Sequence, residues 1–142
     1  DTKREGENLG VPFGPIITPI GAPTRSAYAL LPWAYEQGKD EALMSSLLRA
    51  AWSEGIALHK KSGMQRAVTR AGLDWNEACK QFKRDDWKQL IAGHQHEMVE
   101  GMGLWGVPSY RLSAPDGEPD LMVWGQDRLW LVAAEIKRRA GK

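Results

Sequence analysis

The 142-residue chain has a single cysteine, Cys79, which excludes an internal disulfide. The simplest compartment for such a chain is a reducing cytosol, so a cytoplasmic location is expected. Long apolar runs are missing as well: none approaches the roughly 18 residues that a bilayer-spanning helix needs. The opening Asp-Thr-Lys-Arg-Glu-Gly-Glu-Asn has no apolar segment of the kind a signal peptide carries. Charge of one sign is not in excess. The formal net charge is +1, which gives no electrostatic reason to expect nucleic acid or an acidic membrane as partner. An initiating Met is also absent, so Asp1 is not expected to be the start of the translated protein. Internal repeats and low-complexity segments are lacking.

What remains is enough for one domain with a real core. Seven tryptophans are many for this length, and residues so large must be covered by a core, a pocket or a partner. Residues 1–9 read as the last turns of a helix closed by Gly10. Residues 11–23 carry four prolines and form an extended connector into a helical region, since proline and its predecessor avoid helix. From residue 24 to residue 103 the pattern is helical. Thr24 is the expected N-cap of the first helix, with Tyr28, Leu31, Ala34 and Tyr35 on its apolar face, Pro32 as a kink and Gly38 as its stop. Residues 39–54 come next with a stripe through Leu43, Met44, Leu47, Leu48, Ala51 and Trp52, ended by Gly55. A helix over residues 62–71 ends at Gly72. Asp74 and Glu77 have the spacing of a capping box. Asp85 precedes a longer helix with Trp87, Leu90, Ile91, His94, Met98 and Met102 on one face, ended by Gly101 and Gly103.

Past Gly106 the period changes to two. Residues 109–113 and 121–124 read as strands of an antiparallel hairpin, turned by Ala-Pro-Asp-Gly-Glu at 114–118. Residues 126–139 read as a final helix with Leu129, Val132, Ala133 and Ile136 facing inward. Lys137, Arg138 and Arg139 suit the negative end of its dipole. A lone two-stranded hairpin is marginal in water. This one has apolar residues on both faces, so further strands are expected beside it.

Two short motifs bracket the hairpin. In Gly-Val-Pro-Ser, residues 106–109, a proline heads a strand, where it cannot donate a ladder hydrogen bond. A cis Val107–Pro108 bond would aim the Val107 N–H and C=O into open space, free to pair with an extended peptide. In Trp-Gly-Gln-Asp-Arg, residues 124–128, a strand gives way to a helix. The helix start offers unpaired N–H groups to a carboxylate, and Asp127 offers a carboxylate to an ammonium. Together these motifs would grip a short peptide with a zwitterionic head, and glutathione has that shape.

The run Gly-Leu-Trp-Gly-Val-Pro-Ser-Tyr, a hairpin, then Trp-Gly-Gln-Asp-Arg-Leu resembles the C-terminal signature of the 2-hydroxychromene-2-carboxylate isomerases. These are kin of the kappa-class glutathione transferases within the DsbA-like thioredoxin superfamily. Ala-Ala-Trp-Ser-Glu-Gly at 50–55, Ala-Gly-Leu-Asp at 71–74 and residues 97–106 resemble the family's helical insert. Residues 1–13 resemble the stretch leading into it. The resemblance implies an α/β fold: the C-terminal part of a DsbA-like thioredoxin fold, hairpin plus final helix, with a large helical insertion that makes the chain mostly α. It divides the chain into a helix end and Pro-rich connector at 1–23, a helical insertion at 24–103, and the thioredoxin-fold hairpin and helix at 104–142. It implies glutathione as cofactor, with a cis Val107–Pro108 bond at its cysteinyl part and Gln126 and Asp127 at its γ-glutamyl end. The family's first strand and helix carry a catalytic serine, or Cys-x-x-Cys in the oxidoreductase branch. Nothing here matches that element, so the catalytic residue is unknown and the chain is expected to be a truncated, cleaved or degenerate member.

Other residues invite plainer readings. His94 and His96 are two apart, a spacing that does not share a helix face, and no third ligand is near, so no metal is expected. Cys79 reads as a half-buried thiol. Trp105 and Trp124 read as core or pocket wall. The leading function is a glutathione-dependent isomerase that acts on an aromatic-pathway electrophile by thiol addition and elimination. The alternatives are a DsbA-like thiol-disulfide oxidoreductase and a non-catalytic thioredoxin-fold binding module. The expected partners are glutathione and a small aromatic or electrophilic substrate, with a homodimer or pairing with a missing N-terminal segment.

Overall fold

The computed structural model describes residues 2–114 and 117–141. Pro115 and Asp116 of the expected hairpin turn lie outside the described residues. The chain divides into two compact units, Asp1–Lys88 and Gln89–Lys142.

The first unit is helical. α1 (Thr2–Asn8) ends at Gly10, whose φ of 66° is the left-handed conformation that favours glycine. The connector then runs extended along the end of α3 (Asp40–Trp52): the Gly14 N–H donates to the Trp52 carbonyl at 3.0 Å and Ser53 Oγ donates to the Pro12 carbonyl at 2.6 Å. A Cβ at residue 14 would stand 1.9 Å from the Ser53 carbonyl oxygen, so the approach requires glycine.

α2 (Ala22–Glu36) begins earlier than its sequence suggests. Gly21 precedes it and Pro23 occupies its first turn, where a missing N–H costs nothing. Thr24 is therefore not the cap: its hydroxyl donates to the Pro19 carbonyl at 2.6 Å. The helix passes through Pro32 without interruption. Its buried face carries Ala29, Leu30 and Ala34, while Tyr35, expected inside, is 74% exposed. Residues 27–31 are apolar nearly all round the helix, so periodicity alone does not select a face, and packing against α3 and α5 does.

The same correction applies to α3. Leu43, Leu47, Ala50 and Ala51 are buried, but Leu48 and Trp52 are exposed. α4 (Lys61–Arg70) contributes Met64, Ala67 and Val68, and packs closely on α3. α5 (Trp75–Gln81) has Asp74 as N-cap, accepting from the Glu77 N–H at 2.8 Å. Only half of the capping box forms, because the Glu77 carboxylate turns to Lys80 at 2.6 Å. One polar side chain, Ser46, is buried in the α3–α4 seam. Its hydroxyl donates to the Ala67 carbonyl at 2.7 Å and accepts from Arg70 Nε at 2.9 Å. Arg70 also donates to the Ser46 carbonyl and, through Nη1, to both Glu54 carboxylate oxygens at 2.7 Å. That pairing, with Arg70's hydrogen bond first among its causes, lowers the Glu54 pKa. α6 (Asp86–His96) has no buried residue, and its Trp87 ring lies 5.6 Å from the Tyr28 ring.

In the second unit a π turn (Glu97–Gly101) continues α6 and breaks the α spacing on which Met98 and Met102 were placed. β1 (Ser109–Leu112) pairs antiparallel with β2 (Leu121–Trp124) in the register Ser109 to Trp124 and Leu112 to Leu121. Residues 126–139 are not a uniform helix. A 3₁₀ turn (Gln126–Arg128) leads into α7 (Leu129–Ala140). Leu129, Ala133 and Ile136, expected to face inward, are exposed. The sheet has two strands among the described residues, too narrow to cover a helix, and Val123 is the buried apolar residue of this unit. Salt bridges hold its surface: Arg111 to Glu97 and Asp120 at 2.6 Å each, and Glu135 to Arg138 and Arg139.

Candidate functional site

The hairpin register brings the two bracketing motifs to one end of the sheet. Ser109 is paired with Trp124, so Val107 and Pro108 stand beside Gly125, Gln126 and Asp127. The Gly125 N–H donates to the Pro108 carbonyl at 3.0 Å and ties the two corners together. The Val107–Pro108 peptide bond is cis. Val107 is 83% exposed, and among the described residues neither its N–H nor its C=O has a hydrogen-bond partner. Such a peptide group can pair with an extended backbone laid alongside it. The preceding corner is braced by Ser109 Oγ, which donates to the Gly106 carbonyl.

Across the corner, Gly125 adopts φ 105° and starts the 3₁₀ turn. The first helical hydrogen bond runs from the Arg128 N–H to the Gly125 carbonyl at 3.2 Å, so the N–H groups of Gln126 and Asp127 precede it. No side chain caps this end. The Asp127 carboxylate folds back over Gly125: a Cβ at residue 125 would lie 2.4 Å from Asp127 Oδ1. Gln126 and Asp127 are both exposed. An open peptide group, an uncapped turn and a free carboxylate are thus gathered at one corner. These are the complements of a peptide backbone, a carboxylate and an ammonium.

A profile of the DSBA-like thioredoxin domain matches residues 1–137. The chain belongs to that family. No curated protein matches it. As a DSBA-like thioredoxin domain it has an α/β fold that is mostly α, its hairpin and last helix preceded by a large helical part. Membership supports a thiol-related function of the oxidoreductase or transferase type.

The remaining expected residues are placed elsewhere in the DSBA-like chain. Cys79 is exposed on α5, not half-buried. His94 and His96 are exposed on α6, and among the described residues no three His, Cys, Asp or Glu side chains are grouped to hold a metal ion. No helix among the described residues is long and apolar enough to cross a membrane.

The reading from sequence missed how the corner is built. Trp105 is 74% exposed, so it is not core, and its ring lies 4.7 Å from that of Trp124. Trp124 in turn covers Gly106. The signal was visible: each motif is preceded by the same dipeptide, Trp105-Gly106 before Val107-Pro108 and Trp124-Gly125 before Gln126-Asp127. The tryptophans stack on each other, and each glycine makes the room its corner needs.

Proposed function

We propose that the corner formed by Val107, Pro108, Gln126 and Asp127 holds glutathione, in a glutathione-dependent isomerase or transferase of the 2-hydroxychromene-2-carboxylate isomerase type. The observation that carries this reading is the hydrogen bond from the Gly125 N–H to the Pro108 carbonyl, which gathers an open peptide group and a free carboxylate at one end of the hairpin. The Val107 N–H and C=O would pair with the cysteinyl backbone of the tripeptide. The N–H groups of Gln126 and Asp127 would receive the γ-glutamyl carboxylate, and the Asp127 carboxylate would receive its ammonium. When bound, glutathione supplies a thiol that adds to an electrophilic carbon and leaves again after rearrangement. The chain's own part is to hold the tripeptide extended with its head fixed, so that the sulfur is presented in one place.

The test is calorimetric titration of the 142-residue protein with glutathione and with its S-methyl derivative. Saturable binding of both is expected, weakened about ten-fold or more by Asp127→Ala, which removes a charge-assisted contact. Absence of binding, or binding indifferent to Asp127→Ala, overturns the reading.

A non-catalytic binding module is the second reading. The apolar side chains left exposed in the second unit favour it: Leu129, Trp130 and Ile136 of α7, with Trp105 and Val107 near the corner. It expects capture of another chain along this face and no turnover. A thiol-disulfide oxidoreductase would require a redox cysteine pair, and Cys79 is the chain's one cysteine.

A further inference from the structure

The first unit contains a cavity of about 350 Å³ that none of the site residues above line. Its floor is apolar, made by the buried Leu58 and Met64. One wall is aromatic: Trp75 and Phe82 stand edge to face with centroids 5.9 Å apart. Its rim is basic. His59, Lys60 and Lys61 are consecutive and exposed, and among the described residues none of them has a carboxylate partner. α4 opens at this rim with Lys60 as its N-cap residue and no side-chain cap, so the positive end of its dipole adds to that of the two ammonium groups. The cavity is within the size range of small-molecule sites.

Other lysines of the same unit are engaged, as Lys80 is with Glu77 and Lys88 with Asp85. Lys60 and Lys61 are left over beside a hydrophobic recess. A flat apolar body inserted against Trp75 and Phe82 would be desolvated on several sides, and an anionic group at its edge would meet the rim. A cation would be repelled there, and a sugar-like ligand would find few hydrogen-bonding groups on the floor. We infer that the first unit carries a second ligand site, between α4 and α5, for a small organic anion with a flat apolar body. The site is independent of the glutathione reading, since all its residues lie in the first unit.

Cys79 lines the same cavity and is the chain's one cysteine, so its alkylation reports on occupancy of this place alone. The test is the rate of iodoacetamide labelling of Cys79 in the 142-residue protein as 2-naphthoate is added, with neutral 2-naphthamide as the comparison. Saturable protection by 2-naphthoate is expected with an affinity on the order of 0.1 mM for a ligand of this size. The exposed double substitution Lys60→Gln with Lys61→Gln should weaken it about ten-fold or more while the unfolding midpoint stays in place. Asp127→Ala and added glutathione should leave protection as it was. Three results overturn the inference: no protection at several-fold above that concentration, equal protection by 2-naphthamide, or protection unchanged in the double variant. Displacement of 2-naphthoate by glutathione would overturn it as well, by making the cavity part of the glutathione site. Failure of glutathione to bind, with protection intact, would defeat the proposed function and leave this site standing.

Discussion

The indole of Trp124 fills the space over Gly106 that a side chain at that position would occupy: a Cβ there would lie 2.1 Å from Trp124 Nε1. Gly106→Ala must therefore displace Trp124 from Trp105 and from the corner. We expect it to destabilise the hairpin unit by about 1–3 kcal/mol, as overpacking does. Chemical unfolding followed by tryptophan fluorescence checks this, and an unchanged midpoint would show that the indole moves aside freely.

That contact marks how far the sequence could be read. Helix existence and ends were legible because glycine and the cap residues act locally: Gly38, Gly55, Gly72 and Gly103 all adopt positive φ just past the ends foreseen for them. The strands were legible because alternation is a two-residue pattern. Which face of a helix turns inward was not. Leu30 is buried and Tyr35 exposed on α2, and Leu129 and Ile136 are exposed on α7, because burial depends on what stands opposite. For the site, the neighbourhood of Pro108 and Gly125 came from hairpin pairing alone. The stacking of Trp105 on Trp124 depends on side-chain directions that no spacing rule supplies.

Gly125 serves both backbone and ligand. With φ 105° and Asp127 Oδ1 against it, Gly125→Ala should cost about 1–2 kcal/mol in backbone strain and also push the Asp127 carboxylate out of place. Its glutathione affinity should fall as far as that of Asp127→Ala. Titration of both variants side by side checks this, and an affinity equal to that of the unaltered chain would separate Asp127 from the grip.

Arg70 clamps α3 to α4 through its planar fork, reaching Ser46 with Nε and Nη2 and Glu54 with Nη1. A lysine has one donor centre and cannot span both. Arg70→Lys should lower stability by about 1–3 kcal/mol despite keeping the charge. Urea unfolding followed by circular dichroism measures it.

The half-formed box at α5 makes a paired prediction. Asp74→Ala removes the acceptor of the Glu77 N–H and should cost about 1 kcal/mol. Glu77→Ala removes an exposed ion pair with Lys80 and should cost only about 0.3–0.5 kcal/mol. Equal losses would show that the Glu77 carboxylate also reaches the cap in solution.

Glu135 accepts from Arg138 first and Arg139 second, and these guanidinium groups hold its pKa down to about 2 from the ordinary 4.5. A carboxyl whose pKa is lowered by folding lends stability that is complete above its unfolded pKa and is lost as pH falls toward the folded one. The unfolding midpoint of the chain should therefore drop more steeply than that of Glu135→Gln as pH falls from 4.5 to about 2. Thermal melts of the two proteins across that window check the sign. Parallel curves would mean that the pairing is screened away in solution.

The π turn at Glu97–Gly101 has a consequence for the chain's tolerance of length change. Its Met102 N–H reaches back five residues, to the Glu97 carbonyl at 3.0 Å, so this stretch holds one residue more than an α-helix would use. Loss of one residue there would not break the helix but convert it to the α form, and would turn everything after it by about 100° around the helix axis. Glu97 would then no longer point at Arg111, its partner across the unit at 2.6 Å. The surplus residue sets the phase of the hairpin unit, so a deletion that leaves the helix whole would still change where the corner at Val107 faces.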